Sequence, residues 1–489
     1  MNETFPNWLK QRANLTPNRL AVKVENEELT FDELYKRVQK RVKQLISLGV
    51  KKDEHIGVLM KNSIDMIEVI HALFSVGAIA VLLNHRLTNQ ELAFQLSDAE
   101  AVSVICHEEL AEKLDDHANL IVVDHLKDIE SPVYIQEIEE YKADQVATIM
   151  YTSGTTGYPK GVLQTFGNHW SSAIGSALNL GLVQEDRWLL AVPLFHISGL
   201  SILFRSVIYG IGIILFERFD AKKMNRAIFE DGGTIVSVVT TMLNQMVDDL
   251  GHNKYPESFR CMLAGGGPVP KDLLEKSLTK QIPVFQTYGM TETSSQIVTL
   301  SPEYSMKKIG SAGKPLFLCQ MKIMQNGREC SPFEEGEIFV KGPTITKGYW
   351  KREEATKSGF TNGWFHTGDQ GYIDNDGFLY VLDRRSDLII SGGENVYPAE
   401  IENVLLSYPA VQDAGVVGIE DKKWGQVPYA FLVTTEKMDR EDLLAYCQER
   451  LAKYKVPHHI TFLEELPRNA SNKLLRKELR KYLEKGMSI

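Results

Sequence analysis

The sequence predicts an α/β fold, and three observations carry that expectation. Over about the first 380 residues, short β-rich runs alternate with longer amphipathic ones. From about Pro315 onward the texture changes to short alternating runs punctuated by turn residues. A polar stretch, Asp383-Arg384-Arg385-Ser386-Asp387, then separates two apolar runs and leaves about 100 residues after it, enough for a domain of their own. The expected architecture is a large N-terminal domain, residues 1–385, of layered α/β subdomains plus a β-rich subdomain. A small α/β C-terminal domain, residues 386–489, follows.

Each element has its own warrant. Residues 31–48 read as a helix: Asp32 lies near the start, Leu34, Val38, Val42 and Leu45 recur on one face, and Gly49 follows the end. A β run at 55–60, a second helix at 64–76 and a β run at 79–83 come next. The same rhythm returns with strands at 146–151, 188–192, 211–216, 234–239 and 260–263, which argues for a largely parallel sheet. Residues 336–341 and 364–371 read as antiparallel strands. So does the pair 372–373 and 378–382 across the turn Asp374-Asn375-Asp376-Gly377.

Composition narrows the class. A chain of 489 residues with 43% hydrophobic and 24% charged residues is globular and suits two to four domains. It can bury several cores without disulfide or metal staples. A formal charge of −10 argues against nucleic acid or an anionic membrane as the main partner. Cys106, Cys261, Cys319, Cys330 and Cys447 are scattered, with no CxxC pair, so neither a disulfide framework nor a zinc site is expected. The first twelve residues lack a charged region followed by an apolar stretch, so no signal peptide is expected. The longest apolar run, 202–216, is interrupted by Arg205 and Tyr209 and falls short of the ~20 residues a membrane span needs. The expectation is a soluble cytoplasmic protein.

The chemistry is concentrated in a few segments. Tyr151-Thr152-Ser153-Gly154-Thr155-Thr156-Gly157-Tyr158-Pro159-Lys160-Gly161 follows an apolar strand directly. Its glycines let backbone N–H groups converge on an anion, its hydroxyls add donors and Lys160 adds a charge, which suits a polyphosphate. It does not fit the P-loop pattern, because Pro159 stands where that pattern needs glycine. The same composition also fits a plain surface loop.

Glu292 follows an apolar strand and a Tyr288-Gly289 turn; one carboxylate beside phosphates is a usual way to hold Mg²⁺, and Thr291 can donate to a phosphate oxygen. A helix-capping Thr-Glu pair would look alike. Asp369, in a tight Thr-Gly-Asp turn, could accept both hydroxyls of a ribose or be only a turn aspartate. Gly265-Gly266-Gly267 permits close approach of a flat ring, or simply turns a strand into a helix. Lys473 lies in a polar loop before a basic helix at 474–485, where it could be one more solvated cation.

Taken in order, these segments resemble the adenylate-forming enzymes: acyl- and aryl-CoA ligases, luciferases and peptide-synthetase adenylation domains. The resemblance rests on the Ser/Thr/Gly loop together with Pro193-Leu194-Phe195-His196, Gly265-Gly266-Gly267-Pro268, Tyr288-Gly289-Met290-Thr291-Glu292, His366-Thr367-Gly368-Asp369, Asp383-Arg384-Arg385-Ser386-Asp387, Ser391-Gly392-Gly393-Glu394-Asn395 and Asn472-Lys473. It spans essentially the whole chain.

That resemblance implies a two-step activation of a carboxylic acid with ATP, Mg²⁺ and CoA. Lys473, Thr291 and His196 would be catalytic. ATP would be held by Thr152, Ser153, Gly154, Thr155, Thr156, Gly157, Lys160, Gly266, Gly267, Thr287, Tyr288, Gly289, Met290, Thr291, Glu292, Asp369, Arg384 and Lys473, with Glu292 on the metal. His196, Ser198, Gly265 and Gln296 would contact the acid, with His196 equally suited to be an aromatic wall. Gly392, Gly393 and Glu394 would line a CoA channel, and Ser386 would be the hinge of a mobile C-terminal domain.

Two positions depart from the family pattern: Asn472 replaces the usual glycine before the lysine, and Ser386 stands where Asp or Lys is common. Asn tolerates left-handed backbone angles better than most residues. The runs 164–169, 196–201, 294–302 and 391–398 resemble family members that act on an aryl keto-dicarboxylic acid. Other aryl- or acyl-CoA ligases remain open, as does a module loading a carrier protein docked on the basic stretch 468–485. Partners are thus small molecules, with no nucleic acid and no membrane span; a homo-oligomer is left open.

Overall fold

The computed structural model describes the chain except residues 1–2, 88, 115–118, 127–136, 153–158, 268, 385–386, 388, 392–393, 397, 422–423, 437, 452, 470–471 and 485–489, and the side chains of 90, 383–384, 390, 394–395 and 484. After a short strand at Thr4–Pro6 come helix α1 (Trp8–Leu15), the hairpin β1 (Leu20–Val24) and β2 (Glu27–Thr30), and helix α2 (Phe31–Ser47). α2 starts at a reciprocal cap: Thr30 Oγ1 accepts from the Glu33 N–H, and Glu33 accepts from the Thr30 N–H. Leu34, Val38, Val42 and Leu45 are its buried stripe, as the periodicity predicts.

A first sheet follows, built from β3 (His55–Leu59), β4 (Ile79–Leu82), β5 (Ser103–Cys106), β6 (Leu120–Val122), β7 (Val146–Thr152) and β8 (Lys160–Thr165). Its order is β8-β7-β4-β3-β5-β6, parallel except where β8 turns back on β7. Helix α3 (Ile64–Val76) crosses from β3 to β4; Ser63 accepts from the Met66 N–H at its start and Gly77 (φ 84°) ends it.

Helix α4 (Phe166–Leu180) leads to a second sheet. Its members are β9 (Arg187–Leu190), β10 (Gly212–Leu215), β11 (Ile235–Val239), β12 (Cys261–Gly265), β13 (Val284–Met290) and β14 (Ser295–Leu300), with α5 (Ile197–Tyr209) and α6 (Thr240–Asp249) among its helices. The order is β14-β13-β12-β11-β9-β10-β1-β2, so the N-terminal hairpin completes a sheet whose other strands come much later. The expected parallel sheet is therefore two sheets, the first with an antiparallel edge on one side and the second on both. One hydrophobic cluster, running from Phe5 to Leu263, joins both.

The antiparallel part is as expected: β15 (Gln320–Gln325), β16 (Gly336–Lys341), β18 (Trp364–Ile373) and β19 (Leu379–Arg384) form one sheet, while the short β17 (Gly348–Tyr349) adds to β8. β19 takes in Asp383 and Arg384, so the polar stretch read as a linker is partly strand. Pairing with Asp369 and Gln370 extends it that far.

From Ile389 the chain builds a sheet and cores of its own: β20 (Ile389–Ser391), α7 (Pro398–Leu406), β21 (Val411–Asp421), β22 (Gly425–Thr434), α8 (Arg440–Gln448), β23 (His459–Phe462) and α9 (Arg476–Glu484). α9 begins two residues later than predicted. Leu474 bridges to Arg468 and packs over Gly415 instead of opening the helix. All five cysteines are free. Among the described residues, no helix is long and apolar enough to cross a membrane.

Candidate active site

The described ends of the Ser/Thr/Gly segment lie on paired strands: Lys160 on β8 pairs with Thr152 on β7, and Gly161 with Tyr151. Ser153, Gly154, Thr155, Thr156 and Gly157 lie outside the described residues. Lys160, at the first position of β8, holds its Nζ 5.4 Å from the ring centroid of Tyr349.

Tyr288-Gly289 is not a turn. Both residues lie inside β13, where the pairing with β14 slips between Tyr288–Val298 and Gly289–Gln296. The bulge explains the glycine, since a Cβ at Gly289 would sit 2.1 Å from the Ser295 carbonyl oxygen. After β13 the chain makes the single 3₁₀ turn Thr291–Thr293, closed by a bond from the Met290 N–H to Thr293 Oγ1 (2.9 Å). Gln164 on β8 donates through Nε2 to the Thr291 carbonyl (2.7 Å) and accepts through Oε1 from the buried Thr148 hydroxyl (3.0 Å). Glu292 Oε1 accepts from the Tyr349 hydroxyl (3.0 Å), and its carbonyl accepts from the Thr346 N–H (2.8 Å). The hairpin that presents the loop thus also fixes the turn carrying Thr291 and Glu292.

Asp369 is likewise strand, not tight turn. Along β16 and β18 the pairing jumps from Glu337–Gln370 to Phe339–His366, so Thr367, Gly368 and Asp369 bulge opposite Ile338. The Thr367 hydroxyl accepts from the Asp369 N–H (3.1 Å), and the buried Asp369 Oδ2 accepts from the Tyr288 hydroxyl (2.8 Å). Arg384 is the backbone partner of Asp369 across β19; its side chain lies outside the described residues. Gly265 ends β12, with the Thr287 hydroxyl 3.0 Å from where its Cβ would be. Gly266 has φ 85°, and a Cβ on Gly267 would meet nothing within 4 Å, so this turn faces open space.

Of the residues expected to meet the acid, His196 and Ser198 lie at the start of α5 and Gln296 on β14, which packs beside that helix, while Gly265 ends β12. His196 precedes α5, partly buried, and burial with Arg86 and His85 nearby holds its pKa down to about 4. Ser198 is exposed, and Ser201, one turn on, bonds the Ser198 carbonyl (3.2 Å) and the Ser295 hydroxyl (3.3 Å). Gln296 donates to Ser176 Oγ (3.3 Å), and its buried Oε1 meets no hydrogen-bond donor among the described residues.

Sequence reasoning missed Arg205 here, taking it only as an interruption of an apolar run. It is 1% exposed, reaches Ser295 Oγ at 3.4 Å and lies 5.2 Å from the Trp188 ring. Its Nε meets no acceptor and no carboxylate pairs with it among the described residues; burial pulls its pKa down. The signal was there: an arginine seven residues after Ser198 shares its helix face.

Lys473 is exposed in a loop tied by its own N–H to Asn469 Oδ1 (2.8 Å). Asn472 does adopt the left-handed conformation (φ 60°), and its Nδ2 donates to Thr241 Oγ1 (2.8 Å) at the start of α6. α6 follows Val239, which lies 3.5 Å from the Cβ position of Gly266, so the lysine loop docks beside the Gly265–Gly267 edge. Ser386, Gly392 and Gly393, and the side chain of Glu394, lie outside the described residues.

The donor set fits a magnesium nucleotide: Glu292 offers a hard carboxylate oxygen held by a phenol, Asp369 is a buried acceptor, and the Gly266 turn leaves room for a base. That combination on this fold defines a nucleotide-binding, AMP-forming type of enzyme. Residues 9–350 match the model of the AMP-binding enzyme family and residues 400–473 that of the AMP-binding enzyme C-terminal domain; the chain belongs to this family. It is 58% identical over 486 residues (99% of this chain, 98% of the relative) to a 2-succinylbenzoate–CoA ligase of Geobacillus sp. strain WCH70. The o-succinylbenzoate CoA synthetase of Bacillus subtilis in complex with the acyl-adenylate intermediate OSB-AMP superposes with a TM-score of 0.95 at 52% identity, covering 98% of both chains. The same enzyme with ATP and magnesium ion gives 0.94 at 52% identity, covering 98% of this chain and 100% of that one.

Proposed function

We propose that this chain is an ATP-dependent ligase that converts 2-succinylbenzoate, ATP and CoA to 2-succinylbenzoyl-CoA, AMP and pyrophosphate in menaquinone formation, as a soluble cytoplasmic enzyme. The substrate carboxylate attacks the α-phosphorus, forming an acyl–phosphate bond as pyrophosphate leaves. The CoA thiol then displaces AMP and gives up its proton. Beyond the similarity to named ligases, Arg205 carries the substrate choice. A buried guanidinium without an anionic partner is costly, and 2-succinylbenzoate brings a second carboxylate that would pair with it while the first reacts. Neutral at pH 7, His196 would wall the acid without repelling Arg205.

In the first step negative charge builds on the leaving pyrophosphate, so fixed donors should dominate. Lys160, the Thr152–Gly157 segment, Thr291 and Lys473 supply them, and Asp369 and Arg384 hold the ribose. Magnesium, held by Glu292, would supply charge neutralisation on the phosphate oxygens. The second step needs Lys473 out of the way and the Gly392-Gly393-Glu394 segment in place, by rotation of a domain beginning after residue 385 about Ser386. The separate cores after Ile389 support that boundary.

The test is an acid panel read by ATP- and CoA-dependent thioester formation, with Arg205→Met alongside. Wild type should prefer 2-succinylbenzoate, and the variant should lose ~30-fold or more in kcat/KM for it, the scale of a buried charge pair. Benzoic acids without the second carboxylate should be little affected. Equal or better wild-type turnover of fatty or simple benzoic acids would reject the assignment.

A further inference from the structure

Tyr349 belongs to none of the motifs above, yet it touches two groups assigned to phosphate. Its hydroxyl donates to Glu292 Oε1 at 3.0 Å, and Lys160 Nζ lies 5.4 Å from its ring centroid, within cation–π range. Its own position is fixed from both sides. β17 pairs Tyr349 with Val162, the Trp350 N–H donates to the Gly161 carbonyl (2.8 Å), and the Tyr349 N–H donates to Thr356 Oγ1 (3.0 Å). Thr346, three residues earlier, bonds the Glu292 carbonyl through its N–H (2.8 Å) and the Leu163 carbonyl through its hydroxyl. The phenol is thus built onto the strand that carries Lys160 and onto the turn that carries Glu292.

We propose that Tyr349 is a positioning residue for magnesium-bound ATP. Its hydroxyl holds one oxygen of Glu292 so that the carboxylate faces the cation in one orientation. Its ring keeps the Lys160 ammonium beside that carboxylate. The proposal rests on the reading of Glu292 as the magnesium carboxylate. A carboxylate on a rotatable stem loses orientation when its outer partner goes, and such partners are worth about 10–100-fold in metal affinity. Phenylalanine removes the hydroxyl and keeps the ring, which separates the two contacts.

The experiment is calorimetric binding to the full-length protein, with MgATP and, separately, with AMP in the absence of metal, for wild type, Tyr349→Phe, Glu292→Gln and the double variant. Tyr349→Phe should weaken MgATP about 10-fold or more, leave AMP within about twofold, and add little once Glu292 is already Gln. The free Mg²⁺ needed for half-maximal pyrophosphate release should rise by the same factor. Unchanged MgATP binding in Tyr349→Phe, with Glu292→Gln impaired, excludes Tyr349 alone. Equal weakening of AMP and MgATP makes Tyr349 merely structural and overturns the proposal. If Glu292→Gln binds MgATP like wild type, the reading of Glu292 fails and takes the proposal with it.

Discussion

At the scale of single residues, Lys473 makes the sharpest claim. Lys473→Ala should slow acyl-adenylate formation by about 10²–10³-fold, the scale of losing one preorganised donor. Supplied with ready-made acyl-adenylate and CoA, it should form thioester at nearly the wild-type rate. Pyrophosphate release and thiol consumption, measured separately, decide it; equal loss of both would make Lys473 structural. Residues of this kind were singled out by the family resemblance, since taken alone Lys473 could be one more solvated cation and Glu292 half of a capping pair. Arg205 and Tyr349 were not. What singles them out is a partner 90 residues away in one case and 57 in the other, together with the full burial of Arg205, and sequence shows none of this.

At the scale of elements, the long periodic stretches read true: the second helix falls on residues 64–76 as expected, and 336–341 is a strand with those ends. Among the misreadings are the two Gly-containing motifs taken for turns. A bulge inside a strand draws on the same small residues as a turn, and only the partner strand tells them apart. Gly289→Ala tests the bulge. Its methyl would collide with the Ser295 carbonyl, so the variant should lose about 1–3 kcal/mol or more of stability, seen as a lower thermal midpoint. An unchanged midpoint would mean that β13 and β14 can slide apart freely. Gln164→Leu should also destabilise, by about 1–3 kcal/mol, because it strands the Thr291 carbonyl, whereas the Thr148 hydroxyl keeps its contact with His169 Nε2 (3.1 Å).

At the scale of the whole molecule, Asn472 is the departure from the family pattern that the structure gives a use. Its bond to Thr241 ties the lysine loop to the large domain. Asn472→Gly keeps the left-handed backbone and removes that bond, so adenylation should slow by about 2–10-fold, the worth of one hydrogen bond of 0.5–1.5 kcal/mol, with the thioester step unaffected. Thr241→Val should behave alike; if only Asn472→Gly slows adenylation, loop shape and not the bond is responsible.

Global stability should also depend on pH. Burial pushes His71 down to about 4 and His169 to about 3, whereas unfolded they titrate near 6.5. Between those values the unfolded chain binds more protons, so their contribution is intact above about pH 6.5 and is lost as pH falls. The slope reaches about 3 kcal/mol per pH unit when both protonate only on unfolding. Urea midpoints at pH 7.5, 6 and 5 should fall accordingly, and a flat profile would contradict neutral burial of the two rings.

The pairing of Val22 with Ile213 has a consequence in time. The ribosome makes the N-terminal hairpin about 190 residues before the strand that receives it, and at about 5–20 residues per second that is a wait of roughly 10–40 seconds. Throughout it, β1 presents an open edge, and Arg12 has no carbonyls of Val207 and Ile208 to bond. A nascent chain stalled before residue 215 is therefore a substrate for chaperones and proteases. Trimming the first thirty residues, far from every motif, would leave the finished enzyme with the edge of β10 exposed.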